Sequence, residues 1–389
     1  TNFYFISPLS STLDLLGVNS NLRISAKVKG GSFNNKKTNL DFSDFYSSIE
    51  YDSSNGIKDG FATIKINKNP IKFDIRKVKE KGSFNTQLIA EDIFSVKKIL
   101  APFNIKKEIR GSSKFKIKLN LSSFIKGQPF IDPQVEVLSN LEGIAINLPE
   151  PLMKTKSSKV SFNLAFKPFL SKPSLLSFKY GDLFRGKFNF NKNTTEGFVI
   201  AGKKKQNISI EDEKILLVGE LQKLDLGSFI SLGLFKGEGS GNIFIKDLLV
   251  QETNLSNLSL QKTKFKSSRG RGGIQYKFIN DDLSGILLVP EGDKGKLSFK
   301  FDFIKINQPS GSSEGSFLSL YNEIKDEFDF SADAIFFNGQ NYGNWKFSIL
   351  PETNKLTLYN IKGTYGRWGV KNTNEGISSL IIFKNSIGW

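Results

Sequence analysis

Residues 296–303 read KLSFKFDF, and this stretch decides the fold class. Every odd-numbered position in it is apolar, and every even-numbered position is polar or charged. Because successive side chains of a β-strand point to opposite faces of the sheet, this period of two predicts a strand with one apolar and one solvated face. The apolar positions are Leu297, Phe299, Phe301 and Phe303.

The same alternation recurs through nearly the whole chain. Its clearest repeats are Ile71, Phe73 and Ile75; Phe115, Ile117 and Leu119; Val160, Phe162, Leu164 and Phe166; and Trp345 with Phe347. So many one-sided strands need either several β-sandwiches, whose cores use up the apolar faces, or one very long concave sheet. The sequence therefore predicts an all-β protein built mainly of antiparallel strands.

Turn sequences such as Asn338-Gly339 separate the strands and predict hairpins that connect them as meanders. Three short segments, 93–100, 226–234 and 316–327, are the candidates for helices. No shift in composition marks independent domains. We therefore interpret residues 1–389 as one continuous structure with internal blocks at 1–126, 127–228 and 229–389.

The composition excludes several classes of enzyme. The 389 residues include no cysteine and no histidine. Serine–histidine triads, cysteine nucleophiles and the usual zinc, haem and iron–sulfur ligand sets are therefore impossible within this chain. We expect a protein that is not an enzyme and that has no catalytic residue, no metal and no cofactor.

The formal net charge of +17 admits an anion-binding function. The lysines are, however, scattered along the strands, and Lys, Asn, Ile and Phe are abundant together, as in the product of an AT-rich coding sequence. Residues 268–273, SRGRGG, form one short basic segment without stacking aromatics. We interpret that segment as a hairpin tip and expect no nucleic-acid partner.

Other candidate motifs are interpreted as turns. Residues 237–241, GEGSG, lack the full spacing of a phosphate-binding glycine loop. The carboxylates Glu211, Asp212, Asp281 and Asp282 lie in turn-like sequence without the spaced oxygen ligands of a calcium loop.

No run of about 18 apolar residues predicts a transmembrane helix. The chain opens on Thr1, and its only methionine is Met153. We therefore expect it to be an interior portion of a longer protein, from which any anchor or targeting segment is missing.

Residues 139–154, SNLEGIAINLPEPLMK, resemble a signature stretch of the YhdP branch of the AsmA-like, TamB-related proteins. Residues 221–232, LQKLDLGSFISL, and residues 333–363, which contain Gly343-Asn344-Trp345, resemble later blocks of the same family in the same order. Met153 departs from the pattern, because a small residue is expected at that position.

The resemblance implies a long, curled antiparallel sheet that forms an elongated, taco-like β-groove with a few short helices. It further implies a location in the periplasm, attachment to the inner membrane through an anchor missing from this chain, possible outer-membrane contact, and conduction of phospholipid acyl chains between the two membranes. On this hypothesis the sixteen apolar residues named above line the groove collectively. Lysines would mostly face outward.

Two alternatives stay open at this point. A periplasmic scaffold or chaperone for outer-membrane assembly would use the same apolar trough and strand edges to bind polypeptide. A polysaccharide-active protein would need two carboxylates facing each other across a cleft, and the sequence offers no convincing pair.

Overall fold

The computed structural model is built almost entirely of β-strands, in agreement with the all-β prediction. It describes residues 2–6, 23–35, 40–52, 56–66, 69–80, 83–96, 108–122, 133–168, 173–191, 194–203, 208–209, 211, 214–231, 243–255, 258–290, 295–306, 327–352, 355–370, 380–383 and 386–387. Two compact units are present, one of residues 1–148 and 152–195 and one of residues 149–151 and 196–389.

Every strand pairing described within the first unit is antiparallel. The hydrogen-bonded order is β1-β2-β4-β5-β6-β7-β8-β9-β11-β12-β13, with β3 on β4 and β10 on β8. Its strands are β1 (Asn2–Ile6), β2 (Arg23–Lys29), β3 (Phe33–Asn35), β4 (Leu40–Asp52), β5 (Gly56–Ile66), β6 (Asn69–Glu80), β7 (Ser83–Ser95), β8 (Ile109–Ser122), β9 (Gln134–Ser139), β10 (Ile144–Ile146), β11 (Phe162–Lys167), β12 (Ser174–Tyr180) and β13 (Phe184–Phe190).

The second unit is a mixed sheet in order β14-β15-β16-β17-β18-β19-β20-β21-β24-β25-β27-β28. Short β22 and β26 pair with β20 and β25, and β23 pairs with β22. Its strands are β14 (Thr195–Ala201), β15 (Ile215–Asp225), β16 (Ile243–Leu255), β17 (Leu258–Gly270), β18 (Gly273–Ile279), β19 (Leu283–Pro290), β20 (Leu297–Ile306), β21 (Phe328–Ala332), β22 (Ile335–Phe337), β23 (Gln340–Asn341), β24 (Asn344–Pro351), β25 (Lys355–Tyr365), β26 (Trp368–Val370), β27 (Leu380–Phe383) and β28 (Ser386–Ile387).

The meander prediction is confirmed for most connections and wrong for a few. Strands β14, β15 and β16 run parallel to one another, and β20 runs parallel to β21 and β22. A parallel pair requires the chain to return to the end at which it started, so these connections are crossovers instead of hairpins. The Asn338-Gly339 hairpin is confirmed, since both residues have the positive φ angles, 47° and 80°, that a tight two-residue turn requires.

Of the predicted helices, the second is found as Leu226–Ser231. Asp225 caps it, because its carboxylate accepts hydrogen bonds from the Ser228 amide at 3.0 Å and the Ser228 hydroxyl at 2.6 Å. The first candidate is helical at Val96, and its residues 97–100 lie outside the described residues. It began too early, since residues 93–95 complete β7. Segment 316–326 lies outside the described residues. Within the described part of the chain, no helix has the length and apolarity needed to cross a membrane.

Candidate functional site

The apolar face of the first unit is continuous from strand to strand. Residues paired across neighbouring strands project from the same face, so the register decides whether separate apolar stretches join. One row crosses seven strands without a polar interruption: Ile75, Leu88, Leu119, Val135, Phe166, Leu176 and Phe188. Apolar stretches that are far apart in sequence therefore form one surface.

A second row runs beside the first. It consists of Ala90, Ile117, Val137, Leu164 and Phe178, which pair in that order. A third row, of Phe115, Ser139, Phe162, Tyr180 and Phe184, has one polar member. Burial raises the pKa of the Tyr180 phenol, as expected for a hydroxyl on an apolar surface.

Most of this surface is half-buried and not sealed. Ile75 and Phe115 are buried, with 3% and 7% of their surface exposed. The other members of the first row are half-buried. The Phe178 and Phe188 rings stack with centroids 5.9 Å apart. The first unit therefore presents an extended apolar face that retains access to solvent.

The opposite face of the same strands is polar and internally paired. Glu91 forms ion pairs with Lys114 at 2.7 Å and with Lys116 at 3.7 Å. The hydrogen bond and the charge of Lys114 hold the pKa of the Glu91 carboxyl below its usual range. Lys118 and Glu136 lie 3.7 Å apart. Each strand of this sheet therefore separates an apolar face from a charged one.

The second unit has two comparable rows on one face. The first contains Tyr276, Leu287, Phe299, Phe330 and Phe347. The second contains Leu248, Phe265, Phe278, Gly285, Phe301, Ala332 and Trp345. Phe330 stacks on Phe347 with centroids 4.7 Å apart, so the aromatic surface is continuous across two strands.

Gly285 allows the rings of the second row to meet. A Cβ atom at this position would lie 2.6 Å from the Lys300 carbonyl oxygen and 3.1 Å from Phe301 Cδ1. In its absence the Phe278 and Phe301 rings pack with centroids 5.6 Å apart.

The second unit is packed more tightly than the first. Phe299, Phe301 and Phe330 are buried, and an apolar cleft of about 70 Å³ remains beside Phe299 and Phe301. A water molecule takes up about 30 Å³ in the liquid, so this cleft has room for about two groups of the size of a water molecule. A lipid chain would have to widen it.

Fifteen of the sixteen residues that the sequence predicts as groove-lining lie in strands, and Val160 lies just before β11. Those in β6, β8 and β11 share the face of the first unit, and Leu297, Phe299, Phe301, Trp345 and Phe347 share that of the second. The period-two alternation did not identify several other residues that belong to the rows, including Leu88, Val135, Leu176 and Phe178. Their strands are short or mixed in polarity, so only the pairing register assigns them to the surface.

Phe303 departs from the expected pattern. A β-bulge shifts the register between β19 and β20, so that Phe303 pairs with Ser284 while Phe301 pairs with Gly285. The extra residue turns Phe303 to the opposite face. There Lys305 Nζ lies 5.3 Å from the centre of its ring.

The described carboxylates Glu211, Asp281 and Asp282 lie outside the strands, as predicted for turn residues. Asp281 and Asp282 occupy the turn between β18 and β19, where the Lys305 ammonium donates to the Asp281 carbonyl at 2.9 Å. Asp212 and residues 237–241 lie outside the described residues. No group of three potential metal ligands occurs in the part of the chain that the structure describes. Residues 271–272 form the turn between β17 and β18, as predicted.

The segment 139–154 has a defined local structure. Leu141 is buried with Val96, Phe115 and Ile144 in one apolar cluster. The Lys154 side chain is buried and donates hydrogen bonds to the carbonyl oxygens of Ile144 at 2.8 Å and Thr155 at 3.0 Å. Burial lowers the pKa of this ammonium group.

Comparison with known proteins identifies a family. The family model described as YhdP protein matches residues 13–376, which is most of the chain. No curated protein matches the sequence. No solved structure matches it.

Proposed function

The chain belongs to the YhdP family of envelope proteins, and on that premise we propose that it conducts phospholipids between the inner and outer membranes without catalysing a reaction. Acyl chains would move along the apolar rows, and no single residue would be the site. The observation that carries the proposal is the uninterrupted row from Ile75 to Phe188, which joins seven strands and stays half-buried over most of its length.

The barrier to lipid transfer arises from the exposure of hydrocarbon to water. Each methylene group moved from an apolar environment into water costs about 0.8 kcal/mol, so a dozen cost roughly 10 kcal/mol. A surface that offers apolar contacts at every strand step of about 4.8 Å replaces that single large barrier by many small ones. Seven strands of the first row extend over about 29 Å on this spacing.

The periplasmic location, the attachment to the inner membrane and the contact with the outer membrane are parts of the same proposal. Family membership supports them.

The test places a photo-crosslinking amino acid at two neighbouring positions of β12. Phe178 is on the apolar face, while Lys179 is exposed and pairs with Asp182 at 3.7 Å. We expect phospholipid adducts, identified by mass spectrometry after irradiation in cells, at position 178 and not at position 179. Equal lipid labelling at both positions would refute the groove, and polypeptide adducts without lipid at position 178 would indicate the scaffold function instead.

A further inference from the structure

A basic cleft opens where two strands of the second unit separate. Strands β16 and β17 pair from Leu255 with Leu258 back to Leu248 with Phe265, and their pairing ends at Leu248 and Phe265. Beyond this point Ile243–Asp247 and Lys266–Gly270 are no longer paired with each other. The Ile245 amide instead donates to the Ser267 hydroxyl at 2.7 Å, so a side chain replaces the backbone ladder.

The cleft at this separation has a volume of about 720 Å³. Cavities of this size are typical of sites for small ligands. Its described charged lining consists of one carboxylate, Glu211, and five cationic side chains: Lys214, Lys246, Lys266, Arg269 and Lys277.

Glu211 neutralises only part of this charge. Its two oxygens accept hydrogen bonds from Lys246 at 3.0 Å and from Lys214 at 3.2 Å. Hydrogen bonds from these two lysines lower the pKa of the Glu211 carboxyl, so the carboxylate remains ionised and paired with them. This carboxylate therefore does not balance the charge of Lys266 on β17 or of Lys277 on β18.

The two remaining lysines of the lining are placed unfavourably for a protein without a ligand. Lys266 and Lys277 are directly opposite each other on β17 and β18, and both are exposed. Like charges in directly opposed positions destabilise a sheet. An anion bound between them would reverse the sign of that interaction, because each ammonium group would then donate a charge-assisted hydrogen bond.

The floor of the cleft is apolar. Leu216 is 2% exposed, and Phe244 and Ile286 lie beside it. Ile245 lines both this cleft and the small apolar cleft beside Phe299 and Phe301. A ligand that combines an anionic group with a hydrocarbon portion fits both kinds of surface.

We infer that this cleft binds the phosphate group of an anionic amphiphile, with the hydrocarbon portion directed along Ile245 toward the apolar rows. The inference rests on the proposed function and adds to it a point at which a headgroup is held outside the apolar face. The chemistry recognised is a phosphate anion. A lipid headgroup and a water-soluble phosphate compound both carry it, and only the lipid also uses the apolar floor.

The chain provides a matched control for this site. Lys346 and Lys362 are also exposed and directly opposed, on β24 and β25, but they do not line the cleft. The double variants K266Q/K277Q and K346Q/K362Q therefore remove the same charge from equivalent cross-strand positions.

The test is isothermal titration calorimetry on the full chain with three probes: dihexanoyl phosphatidylglycerol, glycerol 3-phosphate, and dihexanoylglycerol, which lacks the phosphate. We expect the phospholipid to bind most tightly, and K266Q/K277Q to weaken it by about tenfold or more while K346Q/K362Q changes it less than about twofold. Glycerol phosphate binding as tightly as the phospholipid would overturn the amphiphile assignment. Equal losses in the two double variants, or no loss in either, would overturn the site.

A negative result for the headgroup site would leave the proposed lipid conduction standing, because the two are tested at different positions. Crosslinking of lipid from position 178 depends on the apolar rows of the first unit and needs none of these lysines. Lipid adducts at position 178 together with no effect of K266Q/K277Q would refute the headgroup site alone.

Discussion

Replacing Phe301 by alanine tests the face assignment of β20 against a control two residues away. Phe301 is 6% exposed, and its ring packs against Phe278 at 5.6 Å and Phe330 at 5.4 Å between centroids. Removing a buried phenylalanine side chain costs about 3–5 kcal/mol, through lost burial and the cavity that remains. We expect Phe301→Ala to lower the free energy of unfolding of the second unit by that amount.

Phe303→Ala is the control, because it removes the same atoms from the same strand. The bulge places Phe303 on the opposite face, half-buried, with Lys305 as its ring contact. A cation–π contact at an exposed site contributes about 0.5–1 kcal/mol, so we expect a loss of about 1 kcal/mol with the partial burial included. The ratio of the two losses should therefore be at least about three.

The measurement is urea-induced unfolding followed by tryptophan fluorescence, since Trp345 lies on β24 and reports on this unit. A third variant, Phe301→Leu, should recover most of the stability by refilling the space. Equal losses for Phe301→Ala and Phe303→Ala would refute the bulge and return both residues to one face, as simple alternation requires.

Three further predictions concern a glycine, a position in the first apolar row and a buried lysine. Gly285→Ala should lower the free energy of unfolding by about 1–3 kcal/mol, measured as a lower midpoint of thermal unfolding, because the added methyl group meets the β20 backbone. Gly369→Ala, which has no atom within 4 Å of the new methyl group, should change the midpoint little. Leu119→Glu should abolish lipid crosslinking from position 178, because it puts a charge into the first row, and Asn120→Glu, on the other face of β8, should preserve it; equal crosslinking in both variants would count against conduction along this row. For Lys154, burial depresses the folded-state pKa below that of the unfolded chain, so its contribution to stability is fully present above the unfolded pKa and is lost as the pH falls through the folded pKa. Urea unfolding in that alkaline window should show the native protein gaining stability with rising pH relative to Lys154→Met, and parallel pH profiles would exclude the effect.

The strand content and the sidedness of the strands were predictable from local sequence. In stretches such as 296–301, polar and apolar residues alternate without a break, and the pleat converts that alternation into two chemically different faces. The Asn338-Gly339 turn was equally predictable, since few other residues tolerate its two positive φ angles.

The structure differs from the sequence-based prediction where backbone geometry interrupts the period-two alternation of apolar and polar residues. The bulge at β20 adds one residue on one strand only, and alternation in that strand alone carries no trace of it. The parallel pairs of β14, β15 and β16 depend on the path of the connecting segments, which contain no pattern that distinguishes a crossover from a long loop.

The sequence by itself determined that the protein is all-β, that each strand has one apolar face, that no cysteine or histidine chemistry is possible, and that segment 139–154 points to its family. Tertiary structure decided which apolar residues adjoin one another, because strand register is a relation between residues distant in sequence and a shift of one position reverses the face of a whole strand. It joined Ile75 to Phe188 through five intervening strands and removed Phe303 from its row. It also brought Lys266 and Lys277 opposite each other at the edge of a cleft, where lysines that look scattered in the sequence become one concentrated charge.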